Sequence, residues 1–254
     1  MPESVPVTVA GGQIEAVQIP GDEARAPIVL LHEGLGSVGR WREFPQQLGE
    51  ATGRRVIAFS RPNHGRSARR AGTTSPTRFH HLEALDALPA LLGELRAPEP
   101  LLVGHSDGAS IALIYAGRYP VVGLALLAPH LFVEPLTVAS IRETRESYLN
   151  GELRERMAKH HDDPDAAFWG WCDMWLDPEF LAWNLEADAA MVSAPTLLIQ
   201  GREDPYGTLE QLDRIEANLV GPVERLLVEG GHSPHLDAAE EVVSALERFA
   251  ATLR

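Results

Sequence analysis

The run Leu101-Leu102-Val103-Gly104-His105-Ser106-Asp107-Gly108-Ala109-Ser110-Ile111-Ala112 decides how the rest of the chain is read. Its first residues are apolar and strand-like, and its last are small and helix-like. Between them stands a serine with glycine two positions away on either side. This is the pattern of a strand-to-helix elbow, which holds its central residue in strained backbone geometry and lifts it clear of the sheet. A Cβ at Gly104 or Gly108 would meet the neighbouring strand or helix, so both positions call for glycine. Five letters recur by chance; the strand before and the helix after are the context that gives them meaning.

Outward from the elbow, buried strands alternate with helices. Residues 27–31 and 55–59 are short continuous apolar runs, the mark of strands covered on both faces. Residues 5–10 and 13–19 alternate around Gly11-Gly12 and predict an opening hairpin. Helical spacing follows the first buried strand through about residue 49 and returns over 82–95. Strands are predicted at 122–127, 195–200 and 224–228, with helices over 209–219 and 238–253. The fold class is α/β, a doubly wound and mostly parallel sheet of about eight strands. Residues 131–191 break the alternation. Segments 141–148, 152–160, 166–175 and 178–185 all read as helices, so the chain divides into a core, 1–130 and 192–254, and a helical lid, 131–191.

Composition narrows the function classes. A formal net charge of -14 over 254 residues argues against nucleic acid, since little here would displace counterions from phosphates. Lys159 is the only lysine, the remaining cations being arginine. Cys172 is the sole cysteine, which excludes an intramolecular disulfide and suits a reducing compartment. The opening Met1-Pro2-Glu3-Ser4 lacks the basic start and apolar core of a secretion signal. No apolar run approaches the roughly 18 residues of a membrane span. The expectation is a cytoplasmic protein with a small-molecule partner, no membrane, and an oligomeric state that composition leaves open.

A serine hydroxyl is a weak nucleophile until an oriented base takes its proton. A carboxylate and a histidine are therefore sought on loops that follow strands. Gly201-Arg202-Glu203-Asp204-Pro205 follows one strand and Glu229-Gly230-Gly231-His232-Ser233-Pro234 the next. Both loops leave the carboxyl ends of their strands, the side on which the elbow lies. Glu203 neighbours Asp204, His235 follows His232 by three residues, and Glu134 follows an earlier strand, so each is a rival. His160-His161-Asp162-Asp163 has metal-ligand types in a row, but a solvated helix end explains it, and neither metal nor cofactor is expected.

These motifs together with His32-Glu33-Gly34-Leu35-Gly36 and the loop Arg61-Pro62-Asn63-His64-Gly65-Arg66-Ser67 resemble those of the α/β-hydrolases over nearly the whole chain outside the helical block. The resemblance implies Ser106 as nucleophile, His232 as general base then acid, and Asp204 as its orienting partner, in the chain order that fold uses. It also implies an oxyanion hole of two backbone N–H groups. One is that of Asp107; the other lies in the loop at Glu33-Gly34-Leu35, with Gly34 and Leu35 as alternatives because Glu33 stands where relatives have glycine. Glu33 and His105 are pocket candidates, and either Glu33 or Asp107 is a candidate for selecting donor-bearing or cationic substrates. Phe168, Trp169, Trp171, Trp175, Phe180 and Trp183 make the block aromatic, with one or two of these rings, Trp169 or Trp175 as the candidates, expected to touch an apolar or aromatic acyl group. The implied chemistry is hydrolysis of a carboxylic ester, thioester or lactone. Carbon–carbon hydrolysis of ring-fission products and non-catalytic ligand binding on the same fold are the alternatives.

Overall fold

The computed structural model describes residues 5–9, 12–70 and 75–253. Eight strands form one sheet among them: β1 (Val5–Val9), β2 (Gly12–Ile19), β3 (Ile28–Leu31), β4 (Val56–Phe59), β5 (Leu101–His105), β6 (Gly123–Leu127), β7 (Thr196–Gly201) and β8 (Val223–Val228). Their spatial order is β1-β2-β4-β3-β5-β6-β7-β8. The first two strands pair antiparallel with each other, and β2 pairs antiparallel with β4. Every other pairing is parallel. The turn of the opening hairpin lies partly outside the described residues, as Gly11 is not among them.

β3, β4, β5 and β6 are buried at every position and apolar except at His105, which places them inside the sheet with helices on both faces. Alternation along each strand then sorts the core into two clusters. Val29, Leu31, Ile57, Phe59 and Leu102 pack with the helix Asp107–Ala116 and with the helical run from Phe79 to Glu94. Ile28, Leu30, Val56, Ala58 and Val103 pack with Leu48 of the helix Phe44–Thr52 and with Val242, Leu246 and Phe249 of the helix Ala239–Ala251. The predicted helix over 82–95 begins earlier, at Phe79, and passes through a π-helical turn at Glu83–Ala87.

The helical block leaves the sheet after β6 and returns beside its own start. Leu185 N–H donates to Leu131 O at 2.8 Å, and Phe132 forms an isolated antiparallel bridge with Asn184. Helices run over Pro135–Leu149, Glu152–Met157 and Pro164–Leu176. The helix expected over 178–185 is instead a single 3-10 turn, Phe180–Ala182, because Trp183 takes extended backbone with ψ 133° on the way to that bridge. No helix among the described residues is long and apolar enough to cross a membrane.

Candidate active site

Ser106 closes β5 with φ 53° and ψ -118°, and the helix Asp107–Ala116 begins at the next residue. Its N–H is tied to Leu127 O of the adjacent strand at 2.9 Å. The flanking glycines are needed for close approach. A Cβ at Gly104 would strike the backbone of Gly108 and Ala109, and one at Gly108 would strike the carbonyls of Leu31 and His32. The elbow is thus wedged between the end of β3 and its own helix. The Asp107 N–H, first in that helix, has no intrahelical acceptor and lies at the positive end of the helix dipole.

His232 Nε2 lies 2.9 Å from Ser106 Oγ. Its Nδ1 lies 2.9 Å from each carboxylate oxygen of Asp204. A carboxylate only accepts, so Nδ1 carries the proton and the Nε2 lone pair faces the serine hydroxyl. Burial raises the Asp204 pKa, but the His232 hydrogen bond and charge and the Tyr206 N–H bring it below the usual value overall. The two loops are locked to each other by backbone bonds, Arg202 N–H to Val228 O at 2.9 Å and Glu203 N–H to Gly230 O at 3.0 Å. Gly201 makes this possible, since a Cβ there would meet the carbonyls of Gly230 and Gly231. His105 Nε2–H donates to His232 O at 2.6 Å, which holds the His232 backbone in place.

In the loop after β3, four consecutive carbonyls are tied back into the protein. Arg61, fully buried, donates to His32 O at 2.7 Å and to Glu33 O at 2.9 Å. His64 Nε2 donates to Gly34 O at 2.8 Å. His161, from the helical block, accepts from Gly65 N–H at Nδ1 and so donates to Leu35 O at 3.1 Å through Nε2. With the carbonyls held, the Gly34 and Leu35 amides are left for the cavity, which both residues line. Trp171 packs against Gly34 so closely that a Cβ there would strike its ring.

The two carboxylates of this region face different ways. Asp107 accepts from Trp175 Nε1 at 3.1 Å and lies 3.2 Å from His80 Nε2, away from the cavity. Burial opposes its charge, yet His80 and Arg61 outweigh it and lower its pKa to about 2. Glu33 lines the cavity beside Ser106, 3.5 Å from His105 Nδ1 and 3.7 Å from Arg40. Burial raises its pKa, but His105, His32 and Arg40 hold it well below the usual value.

The cavity over Ser106 has a volume of about 480 Å³. Ile141, Leu153, Met157, Trp171, Trp175 and Tyr206 form its apolar side. With this geometry, comparison with known proteins is direct: the sequence pattern of the alpha/beta hydrolase family matches residues 28–245. The chain belongs to the alpha/beta hydrolase family. It is similar to the serine hydrolase BPHL of Homo sapiens, with 27% identity across 97% of this chain and 86% of that protein. It is 33% identical to the sn-1-specific diacylglycerol lipase ABHD11 of Danio rerio over 94 residues, which span 37% of this chain but only 28% of that relative. The proline iminopeptidase structure from Mycobacterium smegmatis has the same fold, with TM-score 0.76, 16% identity and 98% of each chain covered.

Within this alpha/beta hydrolase, the rival residues are engaged elsewhere. Glu134 accepts from Thr208 and Gln211 and does not reach His232. Glu203 is exposed, and His235 is buried against Trp41 and Phe44. Trp175 lines the cavity, but Trp169 does not. Trp169 instead meets Tyr148 and Phe168 edge-on, beneath Arg145. Positions 171 and 175 share a helix face, while 169 and 175 do not, so of the two candidates Trp175 lines the cavity and Trp171 stands there in place of Trp169. No group of three or more His, Cys, Asp or Glu among the described residues is placed to hold a metal. In the 160–163 run, His161 turns inward and Asp163 caps the helix Pro164–Leu176.

His130, which no sequence motif singles out, lines the cavity with its ring 5.7 Å from that of His232. Burial, then the His232 charge, lowers its pKa to about 4, so it is neutral near pH 7. Its only sequence signal is its place: Ala128-Pro129-His130 leaves the carboxyl end of β6, as the other site loops leave theirs. Tyr206, 4.7 Å from the His232 ring, is likewise unmarked by a motif.

Proposed function

We propose that this chain is a serine hydrolase that cleaves a carboxylic ester, thioester or lactone through an acyl-serine intermediate. The observation that carries the reading is the continuous hydrogen-bonded path from Asp204 through His232 to Ser106 Oγ, each link 2.9 Å. Ser106 Oγ attacks the acyl carbon as its proton passes to His232 Nε2, and Asp204 stabilises the imidazolium that forms. The carbonyl oxygen takes up negative charge facing the Asp107 amide and the Gly34 amide of the tethered loop. Collapse expels the alcohol or thiol, which receives the proton from His232. Water, deprotonated by the same histidine, then attacks the acyl carbon and releases the acid, returning the proton to Ser106.

The helical block 131–191 serves as a lid in this scheme. Its Trp171, Trp175, Ile141 and Leu153 form the side that an apolar acyl chain contacts. A fluorophosphonate probe tests the reading. The parent protein is expected to be labelled at neutral pH and to turn over a short nitrophenyl ester, while Ser106→Ala does neither. An unlabelled parent protein, or a labelled Ser106→Ala variant, overturns it.

A further inference from the structure

We infer that the cavity takes an acyl substrate bearing an anionic group, a carboxylate or a phosphate, held at the rim by Arg156 and Lys159 beside Arg40 and His160. The inference deepens the serine hydrolase reading and rests on it. The chain carries a formal charge of -14, yet the cavity wall reverses that sign. Three permanent cations, Arg40, Arg156 and Lys159, line it against one carboxylate, Glu33. Glu33 is already engaged, by His105 at 3.5 Å and Arg40 at 3.7 Å.

The other two cations have little to occupy them. Arg156 reaches Glu152 at 3.4 Å, with both side chains more than half exposed, a contact that contributes almost nothing. Lys159 has no ion-pair partner among the described residues. Arg156 lies in the last turn of the helix Glu152–Met157 and Lys159 in the turn that follows it, where Lys159 N–H donates to Arg156 O, and both line the cavity. His160 sits between these groups and Gly39, where burial and then Arg40, Arg42 and Lys159 disfavour its charged form. It is left as a neutral donor or acceptor among cations. Leu153 and Met157 of the same segment continue the apolar side toward Ser106. The wall therefore suits a molecule with an apolar stretch between the reacting carbonyl and a negative end.

Three nitrophenyl esters of matched length test this: hexanoate, adipate with a free terminal carboxylate, and its methyl-capped twin. A hexanoyl ester of a phosphorylated alcohol makes the second arm. An anionic ester is expected to exceed its uncharged counterpart by about tenfold in kcat/KM, mostly through KM, with the advantage shrinking at high salt. The arm that shows it identifies the anion as a carboxylate or a phosphate. The double variant Arg156→Gln with Lys159→Gln should bring the ratio near one, and Lys159→Arg should keep it. Free adipate should also slow fluorophosphonate labelling of the parent protein more than 1-hexanol does. Labelling and turnover without an anionic preference in either arm overturn this inference and leave the hydrolase standing. A preference that survives the double variant also overturns it. Absence of labelling overturns the hydrolase reading, and this one with it.

Discussion

Ser106 holds φ 53° and ψ -118°, a conformation that costs on the order of 1–3 kcal/mol for a residue with a Cβ. Removing the Cβ relieves that strain, so Ser106→Gly should unfold at higher urea than Ser106→Ala, by about 1 kcal/mol in unfolding free energy, with both inactive. In the proposed mechanism Asp204 acts on the base rather than on the substrate. Asp204→Asn presents an NH₂ group that favours the opposite His232 tautomer, and kcat should fall by about 10³–10⁴-fold while KM changes little. Glu134→Gln, at a carboxylate that does not reach His232, should cost far less, and steady-state kinetics on one ester compares the two. Ser106, Asp204 and His232 were legible because each lies in a short strand-ending loop whose glycines record a local close approach. His130 and Tyr206 also follow strand ends, but no motif there singles them out, and only the folded packing shows that their rings meet His232.

The element that most shapes the site is the loop after β3, whose backbone orientation depends on Arg61 and His64, some thirty residues away, and on His161, 126 residues away. Arg61 spans two of its carbonyls with one planar fork, which an ammonium cannot reproduce. Arg61→Lys therefore keeps the charge but loses the geometry. It is expected to lower kcat by about 10–100-fold, within the range for a disturbed oxyanion donor, with a smaller change in KM. A kcat close to that of the parent would mean the loop holds its shape without the fork. The sequence placed Arg61 and His64 in a recognisable loop but carried no sign of what they bind. The helical block was harder still. Its helices were visible by spacing, yet the 3-10 turn at Phe180–Ala182 depends on where the block rejoins Leu131 and Phe132.

At the scale of the molecule, four buried histidines, His32, His64, His130 and His235, are held neutral. In each case burial is the leading cause, and the value falls to about 3 for His64 and about 4 for His130. Once unfolded, each regains an ordinary pKa near 6.5 and binds a proton that the native state refuses. Stability is therefore fully present above about pH 6.5 and falls as pH drops toward the native values, by about 1.4 kcal/mol per pH unit for each such group. Urea midpoints measured between pH 7 and 5 should decline before the carboxylates titrate. His235→Phe, in a site walled by Trp41 and Phe44, should flatten that decline by about one proton. A pH-independent midpoint over this interval would contradict the buried neutral state. Strand alternation made the sheet legible, and the residues buried on both faces marked its centre. These histidines were not, because a histidine in sequence carries no record of its burial.

Lys159, the chain's only side-chain amine, stands at the mouth of the cavity over Ser106. An amine-selective acylating dye would find no other lysine to modify. With the α-amino terminus blocked first, a single fluorophore could be seated at the entrance without introducing a cysteine, and its emission would report each time that entrance is occupied.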